Sequence, residues 1–275
     1  MNQAVKDDII IAVNIWKDML LDFFKDDIEY IYAKGSSLKE WDSIIDYVPQ
    51  ISDVDIHVKL VDNQSGSLLH PSLETSLKLG REYETRFINH NKNINRSYLH
   101  LPRIQMVLLD KIVVDMNDFV YPRYQDVHVL FGKPAFPREV EYDYIRKVDK
   151  NGILKLNDVL LDIPIALRDR SDKFEYYNLL RRMNYYVSPS PVRLLSQLLL
   201  KENPYNIWTW NRTTIKKNLE ALSLDRLANV YEKYYLIGWE LFKEQFNNNA
   251  KFQSLIATGM KVLELVYNEN LKLVK

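Results

Sequence analysis

The sequence predicts an α+β fold in two parts, an N-terminal mixed sheet with helices followed by an all-helical bundle. Three observations carry this. Four short β-rich segments fall within the first 131 residues, with helical patterns between them. The last hundred residues carry apolar side chains at helical spacing almost throughout. Between the two, Gly132, Pro134 and Pro137 punctuate the chain. The boundary is expected within 133–150, giving domains over 1–140 and 141–275. A length of 275 residues suits about two domains of ordinary size.

The elements follow in order. Ile9, Val13, Trp16, Leu20 and Phe23 recur at helical spacing and predict an amphipathic helix over 5–25. Ile28 to Ala33 is rich in β-formers and predicts the first strand, which runs into Lys34-Gly35-Ser36-Ser37. A short helix and an irregular loop with Pro49 are expected over 38–52. The segment 53–60 alternates strictly: Val54, Ile56, Val58 and Leu60 fall on one face, Asp53, Asp55, His57 and Lys59 on the other. A helix over 72–90 would present Leu73, Leu77, Gly80, Glu84 and Phe87 together. Third and fourth strands are expected over 103–109 and 126–131. From 171 onward the pattern is helical, with Ser190 before Pro191 read as an N-cap and Ser223 as another. Asn247-Asn248-Asn249 breaks the helices before a last one over 250–272.

Composition excludes several classes. With 47% hydrophobic and 27% charged residues, the chain is neither disordered nor collagen-like. It has no cysteine, so disulfides, thiolate metal sites and a cysteine nucleophile are excluded. Thirty-seven basic and thirty-seven acidic residues leave zero net charge, which gives no bulk drive toward nucleic acid. No apolar run approaches the ~18 residues of a membrane span, and the start lacks a basic-then-apolar leader. The expectation is a cytoplasmic protein without membrane or nucleic-acid partners. The five histidines show no His-x-x-x-His spacing, against a zinc site.

The chemistry-bearing feature is a strand, a Gly-Ser turn, sixteen residues, and a second strand opening with Asp53-Val54-Asp55. Alternation places both carboxylates on one face, with Cα atoms ~6.5–7 Å apart. Two hard oxygen ligands at that spacing suit Mg²⁺, which completes its shell with water and phosphate. Gly35 lets backbone N–H groups approach a phosphate, Ser36 adds a hydroxyl, and a helix starting just after would add its positive end. Each part also has an ordinary use, the first as a turn and the second as a solvated strand face. Their conjunction, in this order along the chain, is what points to a site.

Residues 30–58 resemble the nucleotidyltransferases of the DNA polymerase beta-like superfamily. The resemblance rests on Ala33-Lys34-Gly35-Ser36 and Ser52-Asp53-Val54-Asp55-Ile56. The order of elements over the first 130 residues is similar to that fold, and the helices that follow look like those of the antibiotic-nucleotidyltransferase branch. The resemblance implies a nucleotidyltransferase-like mixed sheet in the first domain. It also implies transfer of a nucleoside monophosphate from a triphosphate, ATP for preference, to a hydroxyl of a small acceptor, with release of pyrophosphate. Gly35 and Ser36 would hold the triphosphate; Asp53 and Asp55 would hold Mg²⁺.

Two departures stand out. The spacer is longer than the family's usual ten or so residues, so Trp41, Asp42, Asp46, Tyr47 and Pro49 are expected to form an extra loop over the pocket. The family's third carboxylate, normally on the next strand, falls at Gln105, which accepts a metal contact but takes no proton. Asp110 is the alternative if the register differs; Asp115 and Asp118 fit less well. An inactive nucleotide-binding or interaction module, and an enzyme that adenylylates a protein, are therefore kept as alternatives. His57 shares the face of Asp53 and Asp55. His128 reads as structural. Trp208 and Trp210 beside Arg212, Lys216-Lys217 and Tyr185-Tyr186 are read first as packing, solvated face and hinge, and second as ligand contacts. The bundle offers helical surface for a homodimer.

Overall fold

A computed structural model describes residues 2–61, 68–92, 100–111, 119–136, 140–169 and 172–273. Asp115, Asp118 and Pro137 lie outside the described residues. The fold is mixed α+β, as expected, with the sheet in the N-terminal half and helices after it. The chain divides into two units. The first comprises 1–39 and 52–139; the second comprises 40–51 and 140–275. The spacer 40–51 thus belongs with the helices, which a single boundary near 140 does not anticipate.

In the first unit, helix α1 (Asn2–Phe24) leads through a short 3-10 turn into strand β1 (Ile28–Lys34). Strand β2 (Val54–Leu60) pairs antiparallel with β1. Helix α2 (Leu73–Asn91) then carries the chain over to β3 (Ile104–Leu108), which runs parallel to β2. Strand β4 (His128–Phe131) lies antiparallel on the other side of β1, so the order is β3-β2-β1-β4. Parallel pairing of β2 and β3 needs a crossover, and α2 supplies it.

Both faces of the sheet are covered. Helix α1 packs on β1 and β2, and Ile31, Ala33, Val54, Ile56, Val58 and Leu60 are all buried. On the opposite face Tyr30, Tyr32 and Leu109 form a buried cluster under Phe119, Tyr121, Val127 and Phe136. This explains why β1 has no polar alternation. The rotation of α2 differs from expectation. Leu79, Tyr83, Phe87 and Asn91 face inward, while Leu73 and Leu77 are exposed. Tyr83 decides the rotation: its hydroxyl donates to the Pro102 carbonyl at 2.6 Å, and its ring meets Trp16 edge-on at 5.4 Å. A pattern of aliphatic residues does not register a tyrosine that has a carbonyl to bond.

The second unit consists of α3 (Tyr142–Leu154), α4 (Leu156–Asp169), α5 (Lys173–Val187), α6 (Ser190–Leu198), α7 (Pro204–Thr209), α8 (Arg212–Ala221), α9 (Asp225–Lys243) and α10 (Asn249–Lys272). Helix thus begins about thirty residues before the expected 171. Helix α10 packs against α9 and α5, and α3 against α6. Asn248 caps α10, accepting from Lys251 N at 3.1 Å. Ser190 does not cap α6; its hydroxyl donates to the Tyr186 carbonyl at 2.5 Å. Nor does Ser223 cap α9; its backbone is left-handed, φ 58°, and Leu224 occupies the cap position. Among the described residues no helix is long and apolar enough to cross a membrane.

The spacer is fastened into this unit by a buried carboxylate. Asp46 is 1% exposed and accepts from the amides of Asp42 (2.8 Å), Ser43 (2.9 Å) and Thr213 (2.8 Å), and from the Thr213 hydroxyl (2.9 Å). It closes a capping box with Ser43 around the 3-10 turn Ile44–Asp46. Arg212, also buried, donates to the Ile45 carbonyl at 2.9 Å and lies 3.9 Å over the Tyr235 ring. Trp239 donates to the Ile44 carbonyl, and Asn184 to that of Ile51 at 3.0 Å. Arg212 is therefore a core residue. Lys216 pairs with Glu220 and Glu232 on the helix surface.

Candidate functional site

The site expected at the start of β2 lies wholly in the first unit. Register fixes its members. Lys34 pairs across β1 with Asp55, and Asp55 pairs across β3 with Gln105. Residues paired in this way point to the same side of the sheet. Lys34, Asp55 and Gln105 therefore share one face, and the expected register of Gln105 is the observed one.

Gly35 and Asp55 meet. Gly35 has φ +97°, a conformation that favours glycine, and a Cβ there would overlap Oδ2 of Asp55. Two independent constraints, backbone and carboxylate, thus require glycine. Gly35→Ala is expected to cost about 2 kcal/mol or more of stability and to displace Asp55. Denaturant unfolding checks the first part, and the Asp55 carboxyl resonance the second. The turn is closed by Leu38 N donating to the Gly35 carbonyl at 3.2 Å. No α-helix starts after Ser36: the chain continues through turn and bend to the 3-10 turn at Ile44. The helix dipole expected beside a phosphate is thus missing from this arrangement, because the spacer folds onto the helical unit instead.

Asp53 immediately precedes β2. Its Oδ2 accepts from Arg103 Nη2 at 2.7 Å, in an ion pair about a quarter exposed on each side. Arg103 also accepts through its carbonyl from Val54 N at 2.9 Å, which sets the start of the β2–β3 ladder. Sequence reading missed this arginine. The available signal was its place two residues before Gln105, which the parallel register carries to Asp53.

The electrostatics of Asp55 follow. Burial pushes its carboxyl up, the charge of Asp53 adds to this, and Lys34, Arg103 and Lys39 oppose; the result is about 7. Lys34 is lowered from its ordinary value by the same burial, against the pull of Asp55. Asp53 and Asp55 are thus close enough to repel, which a divalent cation would relieve.

His57 is not a solvated strand-face residue. It is 4% exposed and stacks on Tyr32, with centroids 4.8 Å apart and planes at 10°. Burial, with Lys34, pushes its imidazole down to about 2, so it is neutral at any physiological pH. Asp110 lies near the far end of β2. It pairs with Lys59 and accepts from Leu60 N at 2.9 Å. Four residues of strand, ~13 Å, separate Asp55 from Lys59. His128 is exposed on β4.

Among the described residues no group of three or more His, Asp or Glu side chains gathers in a metal-holding arrangement. An all-protein cage is thus absent from that part of the chain. Two carboxylates with a like-charge repulsion, and an amide in register beside them, suit a cation that keeps water and phosphate oxygens in its shell. Comparison with family models, curated proteins and solved structures finds no match.

Proposed function

We propose that the chain is a nucleotidyltransferase that moves a nucleoside monophosphate from ATP to a hydroxyl of a small acceptor and releases pyrophosphate. The observation that carries the reading is the contact of the Asp55 carboxylate with Gly35, beside Asp53. The two halves of the motif, sixteen residues apart in sequence, meet at one point.

Asp53 and Asp55 are the residues that would hold Mg²⁺, which when bound neutralises polyphosphate charge and favours loss of pyrophosphate. The Gly35-Ser36 turn binds the triphosphate through main chain and hydroxyl. Lys34 and Lys39, both electrostatic neighbours of Asp55, add positive charge beside it. Arg103 holds Asp53 in position through its 2.7 Å hydrogen bond. In the transfer, a bond forms from the acceptor oxygen to the α-phosphorus, the hydroxyl proton passes to solvent water, and the bond from that phosphorus to the bridging oxygen of the leaving pyrophosphate breaks. Gln105 orients groups by hydrogen bonding and takes no proton.

A second reading is favoured by one feature. The residue in register with Asp55 is an amide where proton removal would need a base. The chain would then bind nucleotide without transferring it. Calorimetry with ATP, with and without Mg²⁺, combined with pyrophosphate release over a panel of hydroxyl acceptors, separates the two. Mg²⁺-dependent binding with release supports the enzyme; Mg²⁺-dependent binding with no release for any acceptor supports the module; no binding of ATP at millimolar concentration overturns both.

A further inference from the structure

A second set of residues, confined to the helical unit, has the makings of a ligand site. Arg193 on α6 lays its guanidinium on Gly152 of α3, where a Cβ would overlap Nη1, Cζ and Nε. On its inner side stands Asp149, 1% exposed, with Oδ1 4.0 Å from Nε. That is an ion pair but too long for a hydrogen bond. The other carboxylate oxygen takes the indole N–H of Trp208 at 3.3 Å. The Trp208 ring centroid lies 5.9 Å from the guanidinium carbon. Tyr185, 65% exposed, is a further electrostatic neighbour. A quarter of the Arg193 side chain stays open to solvent.

The contrast with Arg146 is informative. Arg146 donates to the carbonyls of Ser196, Leu199, Leu200 and Glu202, and so ties down the C-terminal end of α6. That is what a structural arginine does at a helix end. Arg193, near the other end of the same helix, has a buried Nε with no hydrogen-bond partner among the described residues. Burial of such a donor is costly and is seldom left uncompensated. Arg193 has been given a glycine notch, an aromatic neighbour and a carboxylate that steadies it without saturating it.

We propose that Arg193, beside Trp208, is a binding site for an oxyanion carried on a flat ring. The guanidinium fork matches two oxygens of a phosphate or a carboxylate. Trp208, about a third exposed, offers a ring to the group that bears the anion. Asp149 is a positioning residue: it holds the indole and faces the guanidinium, and so fixes the angle between them. The site stands on the helical unit alone and is independent of the reading of Asp53 and Asp55.

The test uses the full chain, titrated with inorganic phosphate, phenyl phosphate and benzoate at ionic strength held constant with chloride. The readouts are the Arg193 Nε–H resonance and tryptophan fluorescence. Expected is a saturable shift, with at least one ring-bearing anion binding about tenfold tighter than inorganic phosphate; which of the two it is tells phosphate from carboxylate. Arg193→Gln should weaken all three by about tenfold or more. Trp208→Leu should remove the preference for the ring and leave inorganic phosphate unchanged. Arg193→Lys keeps the charge without the fork, and should keep part of the phosphate response; it carries the test if the glutamine variant fails to fold. No saturable response, or equal responses in the Arg193 variants, or a ring preference that survives Trp208→Leu, overturns the proposal.

Discussion

Asp53→Ala and Asp55→Ala are each expected to lower Mg²⁺-dependent triphosphate turnover by about 10³-fold, equivalent to ~4 kcal/mol of transition-state stabilisation. The loss should appear in turnover and in Mg²⁺ affinity, with the fold intact. For Asp55 the fold should in fact gain. Its carboxyl is raised to about 7 in the folded chain, against 3.8 ordinarily. Between those values the folded state holds a proton that the unfolded state has lost. The contribution of Asp55 to the stability of the metal-free protein therefore falls as pH rises from about 4 to 7, and levels off above. Asp55→Asn removes this decline. Asp149, raised to about 6 by burial, adds a similar decline, and His57, lowered to about 2, adds a rise up to its ordinary 6.5; both are common to the two proteins and cancel in the comparison. Denaturant unfolding of wild type and Asp55→Asn across this range checks the sign. Full turnover in either alanine variant would sink the site assignment.

The largest expected loss of stability is at Asp46. Asp46→Ala should destabilise the second unit by about 3–5 kcal/mol, because three amides and a hydroxyl lose a buried acceptor together. Asp46→Asn keeps part of the acceptor set and should cost less. Equilibrium unfolding followed by tryptophan fluorescence measures both, since Trp239 bonds to Ile44 beside the lost cap. A loss under about 1 kcal/mol for the alanine variant would mean that the spacer is held by its aromatic packing, such as the Trp41–Tyr47 stack at 5.1 Å, and not by the carboxylate. The same acid looks, in sequence, like a loop residue over a pocket.

Asp46 illustrates where sequence reading stops. Nothing in Trp41-Asp42-Ser43-Ile44-Ile45-Asp46 announces Thr213 as its partner, 167 residues away. Arg212 and His57 are similar cases. Both invite a ligand role because arginine and histidine carry chemistry, yet one lies over Tyr235 and the other against Tyr32. Chemical type does not say whether a side chain is covered. His57 stacks on Tyr32, whose ring is met edge-on by Phe136 from beyond β4.

The sequence by itself determined the mixed sheet, the helices after it and the alternation that puts Asp53 and Asp55 on one side of β2. These follow from periods of two and 3.6 residues and from turn chemistry, all local properties of the chain. Only the tertiary structure decided that Asp55 touches Gly35, that Gln105 stands in register with it, that Arg103 holds Asp53, and that the spacer belongs to the helical unit. Each of those depends on strand register or on a buried polar group finding a distant partner. Such choices are made by the free energy of the whole packed chain, and no short window of residues contains them.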